Sequence, residues 1–222
     1  MYFLAHLYVI LQALPEVLKK EELFENLTPI VYGCWGPDLG YFPHYSPKLT
    51  IFEHAEKPQI NLFRGENRKE EAFYKGWKIH MICDEIIHME PFFENGDPVC
   101  PLIKRNEGLK IYLRTAREHL GREVGLDIFI YRELLNNDWR RKIINNKELY
   151  LERKINYPGF KKVQKYVYWY TTKFIPRVAK DEKIGKRIQK IIKYDFYSKE
   201  IEERIKEMLE KMILKSKEIM EK

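Results

Sequence analysis

The chain has 222 residues, of which 45% are hydrophobic and 33% are charged. It is long enough for one substantial core, and its apolar content fits a globular domain and not a disordered one. The three cysteines are odd in number and lack CxxC spacing, so we expect neither a disulfide framework nor a zinc ribbon, and we predict a cytoplasmic protein. The abundance of Lys and Glu is typical of thermophilic proteins with surface ion-pair networks.

The net charge of +7 is distributed unevenly along the chain. Residues 1–100 hold 9 Lys/Arg and 15 Asp/Glu, whereas residues 101–222 hold 31 and 18. The acidic part contains most of the histidines, which suits a cation-binding site. The basic part favours a partner that bears phosphate, either nucleic acid or an anionic membrane surface, and a simple solvated helix face is the alternative.

Hydrophobic residues recur at helical spacing along most of the chain, and clean strand alternation is scarce. The pattern predicts helices over residues 2–24 with a kink at Pro15, 69–93, 107–136, 160–174 and 199–222. The first helix is apolar, but it lacks a basic n-region and carries His6, so we interpret it as a buried helix and not as a signal peptide. We predict a single all-α domain over residues 1–222, with a metal-binding part at about 1–135 and a basic helical part at about 136–222.

Two long loops interrupt these helices. The first, residues 32–59, is dense in Gly, Pro and aromatic residues, and the second covers residues 94–106. Loops of this length in a compact helical domain are usually functional or disordered, and the aromatic content argues against disorder. We therefore expect both loops to contribute to function.

The segment GWKIHMICDEIIHM places His80, Asp84 and His88 at four-residue steps on one predicted helix. Each step advances only ~40° around the helix, so the three side chains share one face. His80 and His88 lie roughly 12 Å apart along the axis, which is too far for both to bind one zinc ion at ~2 Å. The stripe indicates a cluster of ions; the alternative is a core in which the histidines are hydrogen-bonded and the aspartate pairs with a lysine.

Five further residues have contexts typical of metal ligands. His119 and Glu123 repeat the four-residue spacing on another predicted helix. Asp38 lies in the glycine-rich loop GCWGPDLGYF, which can aim a carboxylate inward. With His6 and His54 they complete a set whose joint pattern is hard to produce by core packing alone: His6, Asp38, His54, His80, Asp84, His88, His119 and Glu123.

This order of ligand types resembles the zinc-dependent phospholipase C family, whose superfamily also includes zinc-dependent single-strand nucleases. The order is a histidine, a GPD loop aspartate, a histidine, HxxxD with a further histidine, and HxxxE, and it covers about residues 1–135. The resemblance implies two or three zinc ions per chain. It implies that Asp38, His54, His80 and Asp84 hold one ion, that His88, His119 and Glu123 hold a second, and that His6 with a bridging Asp84 holds a third.

The resemblance also implies a zinc-dependent phosphoric ester hydrolase that cleaves a phosphodiester by attack of a metal-bound hydroxide, with Asp38 and Asp84 as catalytic residues. Clustered zinc ions suit this reaction because they lower the pKa of bound water to near ~7 and clamp the attacking and leaving oxygens. Two alternatives stay open. One is a nuclease or nucleotide hydrolase that uses the same cluster, and the other is a non-enzymatic helical module whose zinc is structural.

Overall fold

A computed structural model describes residues 3–14, 23–38, 62–63, 65–89, 123–134, 145–151, 159–192 and 199–221. These residues are mostly helical and contain no strand, which confirms the predicted all-α class. Their helices are α1 (Phe3–Ala13), α2 (Leu23–Trp35), α3 (Asn67–Met89), α4 (residues 123–129, continued by a π-helical turn at Ile130–Leu134), α5 (Lys147–Tyr150), α6 (Phe160–Trp169, a π-helical turn at Tyr170–Phe174, then Ile175–Lys180), α7 (Glu182–Ile192) and α8 (Lys199–Glu221).

Helices α2 and α3 cross in close contact because each presents a glycine at the crossing. A Cβ atom on Gly76 would lie 1.9 Å from the carbonyl oxygen of Ile30, and one on Gly33 would lie 1.9 Å from that of Phe73. Any larger residue at either position would collide with the backbone of the other helix. The crossing also brings the backbone of Cys34 against Gly76, so this cysteine lies beside α3.

Helix α1 lies inside the fold, where it contacts α2, α3, α4 and α8. Its residues 3–11 are all buried, which matches a segment that is apolar on nearly every face. Two hydrogen bonds hold its first turn. Oδ1 of Asp127 on α4 accepts from the backbone N–H of Ala5 at 2.8 Å, and the indole Nε1 of Trp35 on α2 donates to the carbonyl of Phe3 at 3.2 Å. His6 follows directly, in a helix whose position is fixed from both sides.

The outer helices close the core around this centre. The hydroxyl of Tyr32 on α2 donates to the carbonyl of Tyr150 on α5 at 2.7 Å and accepts from Nε2 of Gln164 on α6 at 2.8 Å, so one side chain joins three helices. Helix α8 packs on α1 and α3 through residues at three- and four-residue steps: Ile205, Met208, Leu209 and Met212.

Helix boundaries agree with the sequence prediction for α3 and α8, which begin within two residues of the expected positions. The loop predicted for residues 32–59 is wrong at its start, because residues 32–35 belong to α2. Helix α6 continues to Lys180, beyond the expected end, and α7 was not expected. No helix within the described ranges is long and apolar enough to cross a membrane. The single domain and the cytoplasmic location stay predictions.

Candidate metal centre

Two buried histidines face each other between α1 and α3. The rings of His6 and His80 have centroids 4.5 Å apart and are tilted by 43°. Both side chains are fully enclosed, with 1% and 0% of their surface exposed. Burying one imidazole is costly unless its nitrogens are satisfied, and burying two in contact requires a shared polar partner or an ion.

Asp84 is the first such partner, since it lies one helical turn after His80. Its Oδ2 is 3.3 Å from Nε2 of His80, and its Oδ1 is 3.9 Å from Nε2 of His6. One carboxylate therefore lies close to both imidazoles. Neighbouring ligand atoms of a tetrahedral ion with bonds of ~2.0–2.1 Å lie roughly 3.4 Å apart, so these separations are close to those of ligands that share an ion.

Cys34 is the second partner, and it was absent from the predicted ligand set. One donor atom each of His6, Cys34 and His80 lies within 4.8 Å of the others, and all three residues are buried. The glycine crossing of α2 and α3 makes this approach possible. The sequence carried a signal for it, because Cys34 and Asp38 have the same four-residue spacing as His80 and Asp84.

The electrostatics shift the pKa values of the two imidazoles in opposite directions. Burial lowers the pKa of His6 well below its usual value, and the nearby charge of His80 lowers it further against the opposing attraction of Asp84. Burial also acts to lower the pKa of His80, but the charge and hydrogen bond of Asp84, with Asp38 and the backbone of Cys34, outweigh it and raise that pKa. His6 is therefore a neutral imidazole, which is the state that binds a metal ion.

The same surroundings also shift the pKa of the Cys34 thiol. Burial raises its pKa well above the usual value, and the nearby Cys83, Asp38 and Asp84 raise it further. Without a cation this group is therefore a neutral thiol. A cysteine ligates metal as the thiolate, so a bound cation would have to replace its proton.

Asp38 and Glu123 extend the centre on two sides. Asp38 lies three residues after the end of α2 and is 3% exposed, and its charge acts on both His80 and Cys34. Glu123, at the first described position of α4, is 5% exposed, and its charge acts on His6. The structure thus brings five of the eight predicted ligands to one region: His6, Asp38, His80, Asp84 and Glu123. Their division among separate ions stays a prediction.

The other three predicted ligands are not placed. His54 and His119 lie outside the described residues. His88 lies on α3, but its side chain is outside the described part.

Asp127 is a further buried residue that the sequence did not single out. It is 0% exposed, and its Oδ1 accepts the hydrogen bond from the backbone N–H of Ala5. Burial raises the pKa of Asp127 to about 7, and the backbone N–H groups of Ala5 and Leu4 with the hydroxyl of Tyr170 oppose the rise. A carboxylate at a helix N-terminus is stabilised by the unsatisfied N–H groups there. Asp127 therefore anchors the turn of α1 that carries His6.

The family of this chain follows from a comparison with known families. The model of the zinc-dependent phospholipase C family matches residues 1–218, nearly the whole chain. The protein belongs to the zinc-dependent phospholipase C family. No curated protein and no solved structure matches it.

Family membership supports zinc as the metal and phosphodiester hydrolysis as the activity. The donor set of the centre fits this metal, because zinc prefers imidazole nitrogen, thiolate sulfur and carboxylate oxygen. His6, Cys34 and His80 supply the first two types, and Asp84 supplies the third within 3.9 Å of both histidines. The confirmed resemblance extends beyond residues 1–135, where the ligand order suggested it, into the basic C-terminal helices.

Proposed function

We propose that the protein is a zinc-dependent phosphodiesterase that cleaves a phospholipid-type phosphodiester at the buried centre between α1, α2 and α3. The observation that carries the proposal is the convergence of two imidazoles, a thiol and a carboxylate in a chain of this family. The alternative of a structural zinc module predicts that every coordination position is filled by protein and that no ester is hydrolysed.

Four residues would hold one zinc ion and leave a further position for water or substrate: His6, Cys34, His80 and Asp84. Zinc in such a site polarises phosphoryl oxygens and lowers the pKa of water to near ~7. Asp84 has a second role, because its two oxygens address both imidazoles and so fix their orientation. The helices place all four groups before any ligand arrives, which reduces the reorganisation that binding requires.

We assign Asp38 to the attacking water. Its carboxylate is buried, and its charge acts on two of the four ligands, which supports a role for Asp38 as the proton acceptor. Glu123 lies near His6 and is available for a second ion, together with His88 and His119, as the family resemblance implies.

The experiment combines metal analysis with hydrolysis of an activated phosphodiester by protein purified without chelator. Asp84→Asn should reduce hydrolysis roughly 100-fold or more. Loss of a residue that only hydrogen-bonds to a metal ligand typically costs about 10–100-fold, and Asp84 would itself be a ligand. Glu85→Gln is the matched control, since Glu85 is the next residue on α3 and is exposed. Full activity in a folded Asp84→Asn variant would overturn the assignment, and zinc-loaded parent protein that cleaves no phosphoester would favour the structural alternative.

The role of Cys34 has its own test, which does not depend on turnover. Cobalt(II) bound to a thiolate gives a sulfur-to-metal charge-transfer band, so cobalt-loaded parent protein should show one. Cys34→Ser should lose the band, whereas Cys83→Ser should keep it, although both thiols are buried in the same core. A band that survives in Cys34→Ser would remove this residue from the ligand set.

A further inference from the structure

The outer face of α6 has an unusual composition. Residues 160–180 include no Asp or Glu, in a chain whose charged residues are otherwise mixed. Its exposed side chains are six cations and one indole: Lys161, Lys162, Lys165, Trp169, Lys173, Arg177 and Lys180. We call this set the basic face. A helix of 21 residues is about 30 Å long, so the face is a long cationic strip with an aromatic ring near its middle.

The other long surface helices are different. On α8 the exposed charged residues are a mixture of acidic and basic, and Lys206 and Glu202 pair at 2.9 Å. Similar pairs occur at the start of α3, where Lys69 pairs with Glu66, the residue before the helix, and Lys75 pairs with Glu71. Such pairs are the ordinary arrangement of a solvated helix. The basic face lacks acidic neighbours on its own helix, so its cations repel one another unless an anionic surface offsets them.

The π-helical turn in α6 helps to keep these side chains in line. A four-residue step in an α-helix overshoots a full turn by ~40°, so Lys165, Trp169, Lys173 and Arg177 would drift around a regular helix. The turn at Tyr170–Phe174 contains an extra residue, which opposes that drift. Pro176 lies two residues after this turn and has no N–H to donate, so one regular helical hydrogen bond is missing there.

Trp169 is held in an exposed position by its neighbours. It is 48% exposed, and its ring lies 5.4 Å from that of Phe174 and 6.0 Å from that of Tyr166. A rigid, half-exposed indole flanked by cations is typical of a protein surface that enters the boundary between lipid headgroups and acyl chains.

We propose that the basic face docks the protein on an anionic phospholipid surface. The charges would contact the headgroups, and Trp169 would insert its ring below them. A convex helix face without exposed Asn or Gln suits a planar charged surface better than the bases of a nucleic acid, which are bound in grooves. This inference rests on the proposed function only for the choice of phospholipid as the anion.

The experiment measures binding to vesicles without turnover. Parent protein should bind mixed phosphatidylcholine–phosphatidylserine vesicles, should bind pure phosphatidylcholine vesicles far more weakly, and should dissociate as salt is raised. Replacing Lys165, Lys173 and Arg177 with Gln should weaken binding roughly 100-fold. The matched control replaces Lys211, Lys215 and Lys217 on α8 with Gln, which changes the net charge equally and should leave binding nearly unchanged.

The indole is tested in the same assay. Trp169→Ala should weaken vesicle binding more than Leu214→Ala, although Leu214 is the more exposed of the two at 65%. Equal binding in the basic-face triple variant and the α8 triple variant would overturn the proposal, as would tight binding of a single-stranded oligonucleotide without vesicle binding. The basic-face triple variant should still cleave a soluble phosphodiester at the parent rate, so a failure of the hydrolase assignment and a failure of docking give different results.

Discussion

Replacing Gly76 with alanine tests whether the α2–α3 crossing holds the metal centre together. The new Cβ would lie 1.9 Å from the carbonyl oxygen of Ile30, well inside the 3.0 Å that real Cβ atoms keep, so the helices must separate locally by about 1 Å. Overpacking of this kind costs about 1–3 kcal/mol. The colliding atom belongs to the backbone, which cannot move aside easily, so we expect a cost near ~3 kcal/mol. Alanine has a better helix propensity than glycine, which offsets about 1 kcal/mol of this cost. The free energy of unfolding should therefore fall by about 2 kcal/mol.

The same substitution should weaken zinc binding, because Gly76 lies one turn before His80 and directly against the backbone of Cys34. Ligand distances in zinc sites hold to about 0.2 Å, so a shift of about 1 Å between the two helices exceeds that tolerance. Denaturant titration gives the stability, and elemental analysis after dialysis gives the bound zinc.

Gly65→Ala is the control. A Cβ on Gly65 meets nothing within 4 Å, but its φ of 85° strains alanine, so this variant should lose about 1 kcal/mol and keep its zinc. If Gly76→Ala keeps the parent's stability and zinc content, the crossing argument is refuted. If it loses stability but binds zinc as the parent does, the link from the crossing to the centre is wrong.

Two further predictions concern the polar groups of the core. Tyr32→Phe removes the buried hydrogen bonds to the carbonyl of Tyr150 and from Gln164, so denaturant titration should show a loss of about 1–3 kcal/mol with the zinc content unchanged. The pKa of Asp127 is about 7 in the folded protein and about 4 in the unfolded chain. Between these two pH values the folded state holds a proton that the unfolded chain has lost, so the free energy of unfolding should fall as pH rises from about 4 to about 7. Asp127→Asn keeps an oxygen for the N–H of Ala5 and should flatten this decline, whereas parallel stability curves for variant and parent would contradict it.

The sequence predicts best those helices whose hydrophobic pattern is complete within the helix itself. Helix α8 repeats apolar residues at three- and four-residue steps over its whole length, and its buried positions follow that pattern. Gly33 and Gly36 favour a loop from residue 32 onward, because glycine usually ends a helix, but α2 continues to Trp35. Gly33 is present for a different reason, which is the approach of α3 to its backbone, and that approach depends on residues 40 positions away. Propensity alone cannot distinguish the two uses of glycine.

The candidate site shows the same division between local and distant information. His80 and Asp84 could be paired from the sequence, because four-residue spacing on one helix determines their contact. Asp127 could not, since its hydrogen bond to Ala5 joins residues 122 positions apart and depends on the packing of α4 against α1. Cys34 lies between these cases. Its four-residue spacing to Asp38 was visible, but only the glycine crossing places its thiol beside two imidazoles, so the same cysteine on a helix without Gly33 would be an ordinary core residue.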